Sequence, residues 1–146
     1  MDITIRKANA KDFSSVVEMI HEFASFQQTP EKVFITEAQM ETNQDLFNCL
    51  VAETDDKKVV GFVSFFFAFY SWSGRAIYLD DLYVREEYRK KGVGKKLLMM
   101  VIDIAKQTDC KKARWQVSNW NTNAIEFYKS IGAEINTIEI NCDFHF

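Results

Sequence analysis

The chain is poor in the residues that break, cross-link or chelate. One proline and five glycines in 146 residues leave no stretch that reads as a linker, and no repeat or low-complexity segment stands out. The expectation is one domain over residues 1–146, large enough to bury its own core. Histidine is limited to His21 and His145, too few for a histidine-based metal site, and no metal is expected. Cys49, Cys110 and Cys142 are odd in number and form no CxxC pair. They read as buried or free thiols in a reducing, cytoplasmic compartment rather than as disulfides or zinc ligands. No apolar run nears the roughly 20 residues a membrane helix needs, and the first residues enter an alternating strand with no leader pattern. Basic charge is short as well: 18 Lys and Arg against 21 Asp and Glu give a net charge of -3. Nucleic acid would need a basic face, so neither nucleic acid nor membrane is expected as a partner.

Aromatic residues are plentiful. Thirteen Phe and three Trp are enough that some are expected in a groove or subunit contact while most fill the core. Residues 2–8 alternate as a strand, with Ile3 and Ile5 on one side. Asn9 caps a helix in which Phe13, Val16, Val17, Ile20 and Ala24 recur at helical spacing to about Phe26, ahead of the break at Pro30. Thr36 and Gln39 form a capping box that opens a second helix, to about Leu46. Cys49–Thr54 and Val59–Tyr70 make a hairpin, and the run from Phe62 to Tyr70 is apolar enough for mid-sheet. Ser71-Trp72-Ser73-Gly74 turns into a strand ending at Val84. There follow a helix from Val93 to Thr108, a strand at Ala113–Val117 and a helix at Thr122–Ile131 stopped by Gly132. Two short strands are expected from Glu134 onward. This order makes an α/β (α+β) chain, a mixed sheet with helices on both faces.

The stretch from Tyr78 to Leu98 carries the chemistry. A buried acidic strand, Tyr-Leu-Asp-Asp-Leu-Tyr-Val, leads through Arg89-Lys90-Lys91-Gly92-Val93-Gly94 into a helix whose apolar face is Val93, Leu97, Met100, Val101 and Ile104. Glycines let a backbone approach a bulky ligand, and the first amides of a helix lack intrahelical partners. With the positive end of the helix dipole they suit a phosphate or pyrophosphate. Taken alone, such a turn is as readily plain punctuation. It is not a P-loop, because GxxxxGK[ST] is missing. It is not a dinucleotide fingerprint either, because the third glycine and the early βαβ unit are missing.

The order of motifs narrows the reading. An acidic strand, Arg-x-x-Gly-x-Gly, a helix, a strand, then Asn121 and Phe127-Tyr128 before Gly132-Ala133 resembles the GNAT superfamily of acetyl-CoA-dependent N-acetyltransferases over nearly the whole chain. Within it the likeness is to the diamine and polyamine (spermidine/spermine) branch. It is carried by the segments from Ile20 to Ala24, Val33 to Glu37, Tyr78 to Val84, and Asn119-Trp120-Asn121 through Lys129. The resemblance implies a mostly antiparallel sheet of about seven strands flanked by about four helices, and a homodimer with the Phe144–Phe146 region as a contact. It also implies that acetyl-CoA is held by the backbone of Lys90, Lys91, Gly92, Val93, Gly94 and Lys95, with charge from Arg89 and the lysines. Leu82, Tyr83 and Val84 would run beside its pantetheine arm, the Leu82 amide polarising the thioester carbonyl. Asn121 and Asn123 would also contact the donor, and Tyr128 would contact it and protonate the departing thiolate. Asp80 would serve as substrate acid or base.

The acceptor needs a base. An amine of pKa near 10.4 is neutral in only on the order of one molecule per thousand at pH 7, a handicap of about 4–5 kcal/mol, and a positioned base supplies about 10²–10⁴-fold. Asp80 and Asp81 are neighbours on a strand and are expected on opposite sides, so one enters the cleft; either could instead neutralise Arg85 or Arg89. The branch's further acids are replaced here by Gln27, Gln28 and Ser71, whereas Glu22, Glu31 and Trp72 remain and could take an amine by charge and cation–π contact. A small-molecule primary amine such as an amino acid, diamine or lysine analogue fits better than a long polycation. The alternatives are a protein or peptide N-acetyltransferase and a non-catalytic CoA-binding module.

Overall fold

The computed structural model describes residues 2–146, which divide after Trp115 into two compact units. The first carries one sheet in the order β1-β2-β3-β4-β5. Its strands are β1 (Ile3–Lys7), β2 (Asn48–Thr54), β3 (Val59–Tyr70), β4 (Gly74–Val84) and β5 (Lys112–Arg114), with helices α1 (Phe13–Phe26), α2 (Glu37–Thr42) and α3 (Val93–Gln107). Strands β1 to β4 pair antiparallel in sequence, and α3 is the crossover that returns β5 parallel to β4.

Helices cover both faces because adjacent β4 residues point opposite ways. The Tyr83 ring stacks on Phe23 of α1 at 5.3 Å. Val84 turns to the other face, where its side chain lies close to Gly94 at the start of α3. On the α1 face Phe13, Val16 and Met19 bury against Val51, Phe62 and Tyr83, residues that the strand register sets side by side. On α3 the buried stripe is Val93, Leu97, Leu98, Val101 and Ala105, while Met100 stays exposed. Arg6 of β1 joins the edge of the sheet to the start of α1, bonding Asp12 at 2.8 and 2.9 Å and Glu53 of β2 at 2.7 Å. That pairing holds both carboxyls below their ordinary range.

Several sequence expectations shift. The Thr36/Gln39 capping box forms, but α2 ends at Thr42 rather than near Leu46. The Asn43 side chain donates to the Gln39 carbonyl at 2.8 Å and closes the helix there. The apolar run in β3 is only half mid-sheet. Pairing with β2 stops at Asn48 opposite Phe65, so Phe66, Phe67 and Phe69 lie beyond it and are exposed.

The second unit is residues 116–146. Its helix α4 (Thr122–Ser130) is capped by Asn121, whose side chain accepts from the Ala124 amide at 3.3 Å. Gly132, at φ +95°, ends it: its amide bonds Lys129 O and the Ala133 amide bonds Tyr128 O, both at 3.0 Å. Residues 134–146 form no strand, so the described sheet has five strands rather than about seven. The α/β class with four α-helices stands.

Candidate active site on strand β4

Three features of β4 coincide. The first is a bulge. The β3–β4 register steps from Phe65 opposite Leu79 to Ser64 opposite Asp81, which leaves Asp80 without an opposite residue. The alternation that would send Asp80 and Asp81 to opposite sides is therefore broken at this pair. Ser64, buried in β3, fills the gap by accepting the Asp81 amide at 3.2 Å. Burial raises both carboxyls above the ordinary aspartate range, and Asp81, also facing the charge of Asp80, is pushed to about 6. Asp80 keeps an exposed surface, and Asp81 is the more covered of the two.

The second feature is a free edge. Strand β5 runs beside β4 only at Ala76, Ile77 and Tyr78, so from Leu79 to Val84 no described strand lies on that side. The Asp81 amide points to β3, as does the Arg85 amide, which bonds Val60 O at 2.8 Å. Amides alternate along a strand, so those of Leu82 and Val84 point to the free edge. At its end Arg89 closes over the Val84 carbonyl with Nε at 2.8 Å, its guanidinium lying over Tyr83 at 5.1 Å and Phe26 at 5.4 Å.

The third is the loop. Lys90 (φ +61°) and Gly92 (φ +81°) are both left-handed, a pairing that costs a non-glycine residue energy and curls successive amides into a concave nest. Gly92 stands at the N-cap of α3 without a side-chain cap, and no acid occupies the first turn. The first amide of α3 to find a partner inside the helix is that of Lys96, on Gly92 O at 3.0 Å. The amides of Val93, Gly94 and Lys95 are therefore left for a ligand. The side chains of Lys90, Lys91 and Lys95 are exposed around them. This donor set fits a diphosphate, and the strand edge leading into it fits an extended arm.

Two expected substrate residues, Glu22 and Trp72, stand in different surroundings. Glu22 is paired with Arg85 at 2.6 Å, beside Glu18 at 2.9 Å. Trp72 is fully exposed in the β3–β4 turn, six strand residues (about 20 Å) from Asp80. In the second unit Asn121 caps α4 and Asn123 is exposed in its first turn. The Tyr128 ring lies 5.5 Å from that of Phe127, and burial raises its hydroxyl above the ordinary tyrosine value. Sequence reasoning missed Ser64 and Tyr78. Tyr78 stacks on Phe66 at 5.2 Å and feels the charge of Asp80; the one signal for Ser64 was a lone hydroxyl in an apolar run.

The acetyltransferase (GNAT) family model matches residues 13–133. The chain belongs to the GNAT acetyltransferase family. It is an acyltransferase, and its family uses acetyl-CoA. A thialysine N-epsilon-acetyltransferase of Sus scrofa is 33% identical over 142 residues, covering 90% of this chain and 84% of that protein. The human spermidine/spermine N(1)-acetyltransferase-like protein 1 is 33% identical over 139 residues, 88% of this chain but 20% of that longer protein. The likeness thus falls in the polyamine acetyltransferase-like branch. A metagenomic aminoglycoside acetyltransferase, solved with sisomicin, superposes with a TM-score of 0.80 at 19% identity over 98% of this chain and 97% of its own, which shows the shared acetyltransferase fold. No described helix of this acetyltransferase is long and apolar enough to cross a membrane.

Proposed function

We propose that this acetyltransferase transfers the acetyl group of acetyl-CoA to a primary amine of a small molecule, by direct attack with both substrates bound. The observation that carries the reading is the coincidence on β4 of an unpaired edge, a phosphate-sized nest at one end of it and two pKa-raised acids at the other. When bound, acetyl-CoA supplies an acetyl thioester already activated for transfer. The amides of Val93, Gly94 and Lys95 would hold its diphosphate, and those of Leu82 and Val84 would orient the arm, Leu82 facing the reacting carbonyl.

Asp80, the more exposed of the two acids, draws the ammonium group and accepts its proton. Asp81 keeps a second negative charge behind it and makes the pair a stronger base. Burial raises the Asp80 carboxyl above the ordinary aspartate range, which narrows its gap to an amine and lowers the cost of the deprotonation. The Tyr128 hydroxyl, which burial raises above the ordinary tyrosine value, would serve as the hydrogen-bond donor to the departing sulfur. The family match covers residues 13–133, which supports a single domain. The relatives named for thialysine and spermidine/spermine support a small-molecule acceptor that carries an amine. An acceptor screen with thialysine, lysine, diamines, spermidine and a peptide, scored by the mass of the acetylated product, tests the reading. Acetylation of the peptide alone would overturn the small-molecule assignment.

A further inference from the structure

Strands β3, β4 and β5 bring one row of side chains to a common face. Tyr70 stands opposite Gly74 in the antiparallel β3–β4 pair, and Lys112 and Arg114 lie beside Ala76 and Tyr78 in the parallel β4–β5 pair. Residues in register share a face. The small residues Gly74 and Ala76 leave room for their neighbours to meet over β4. The Lys112 Nζ and the Arg114 guanidinium both lie over the Tyr70 ring, each 4.7 Å from its centre. Arg114 is exposed and Lys112 half-buried, so a ligand can reach both. Arg6 and Arg85 each hold two carboxylates, whereas neither Arg114 nor Lys112 is ion-paired with a described acid. Two like charges are thus gathered on one ring with no anion beside them, an arrangement that an anionic group would relieve.

These cations stand along the strand from the acid that draws the amine. Tyr78, beside Arg114, is followed two residues on by Asp80, and its hydroxyl feels both charges, raised by Asp80 and lowered by Arg114. Asp80 itself is raised by burial alone, so Arg114 does not neutralise it. The geometry gives the reason: the guanidinium is drawn back over Tyr70, which stands opposite Gly74, away from Asp80. The gap between the two charges therefore exceeds the two strand steps, about 7 Å, from Tyr78 to Asp80. An amine and a carboxylate that share a carbon cannot bridge it. An amine at the far end of an aliphatic chain can. A polyamine of that length would set a second ammonium against Lys112 and Arg114, like charge against like.

We propose that Arg114 and Lys112 bind a carboxylate of the acceptor, which is therefore an ω-amino acid held with its terminal amine at Asp80 and its carboxylate beside Tyr70. This site deepens the acetyl-transfer reading and rests on it. The ring holds the guanidinium in place before the ligand arrives, which cuts the ordering that binding would otherwise require.

Steady-state kinetics with matched acceptors tests it. Lysine, lysine methyl ester and cadaverine offer the same chain and terminal amine, but lysine alone carries the carboxylate. Scored by the terminal N-acetyl product at saturating acetyl-CoA and pH 7, the wild type should use lysine with a kcat/KM about tenfold or more above the other two. Arg114→Ala should lower kcat/KM for lysine by about tenfold, through KM with kcat little changed, and leave the ester and the diamine within about twofold. Arg114→Lys, which keeps the charge without the fork, should retain part of the preference. Use of the ester or the diamine as well as lysine by the wild type would overturn the carboxylate site while leaving acetyl transfer to an amine in place. A loss in Arg114→Ala shared equally by all three acceptors would do the same. Acetylation of none of the three would overturn the acetyl-transfer reading and this site with it.

Discussion

Glu22 Oε2 lies 2.6 Å from Arg85 Nη1, so the acid that α1 turns toward β4 is already paired where the strand leaves the sheet. Arg85 is largely covered, donates its Nε to Val59 O at 3.2 Å and also holds Glu18. In the proposed reading, Asp80 and Asp81 are then the acids left to an incoming amine.

Replacing Glu22 should accordingly act on the fold more than on the acceptor. Glu22→Gln is expected to cost about 1 kcal/mol or less in urea unfolding, because the carboxylate is partly exposed and Glu18 remains. The KM for the amine should stay within about threefold of wild type. A rise of tenfold or more would return Glu22 to the substrate site.

The raised carboxyl of Asp81 predicts a pH dependence of stability with a definite sign. Its folded pKa, about 6, lies above the ordinary value of 3.8. Its contribution is therefore fully present below about pH 4 and is lost as pH rises through 6. Asp81→Asn removes the buried charge. The variant should gain roughly 2–3 kcal/mol over wild type at pH 8, shrinking toward zero near pH 4. Urea unfolding of both proteins across that range is the measurement, and a pH-independent difference would contradict the account.

Asp80→Asn should lower kcat by about 10²–10⁴ at pH 7. The deficit should narrow as pH approaches the pKa of the amine, because the acceptor then arrives neutral and needs no base. The wild-type rate should rise through an apparent pKa that belongs to the Asp80–Asp81 pair rather than to either acid. A pH-rate profile for both proteins decides it.

The two loop glycines should separate fold from ligand. Gly92 is left-handed with open space where a Cβ would go, so Gly92→Ala should cost about 1–2 kcal/mol of stability from the backbone alone. A Cβ at Gly94 would meet only the Val84 side chain, at 3.8 Å. Gly94→Ala should leave stability unchanged or raise it by up to about 1 kcal/mol, while CoA affinity falls tenfold or more because the methyl occupies the ligand's path. Calorimetric titration beside thermal unfolding reads both.

Much of this was legible in the residues. The helix at Val93, the Asn9 cap, the Thr36–Gln39 capping box, the hairpin at residues 55–58 and the Gly132 stop are local signals, set by a few neighbouring side chains, and they appear close to where they were expected. What was hidden depends on partners distant in sequence. The bulge at Asp80 exists because β3 and β4 slip at Ser64, which no alternation within β4 reveals. The partner of Glu22 is Arg85, 63 residues away in sequence, which the α1 segment alone does not reveal. Residues 134–146 carry a strand pattern, and the described chain offers it no ladder. The exposure of Phe66 to Phe69 follows from where β2 stops, a length that the β3 run does not encode.

The most direct test of the account is a titration of the 15N-labelled protein with coenzyme A, followed amide by amide. The amides of Leu82, Val84, Val93, Gly94 and Lys95 should shift and saturate together, while those at the far end of α3, such as Ile104, stay in place. Saturable binding that leaves Leu82 and the 93–95 amides unmoved would contradict the placement of the donor on the free edge of β4.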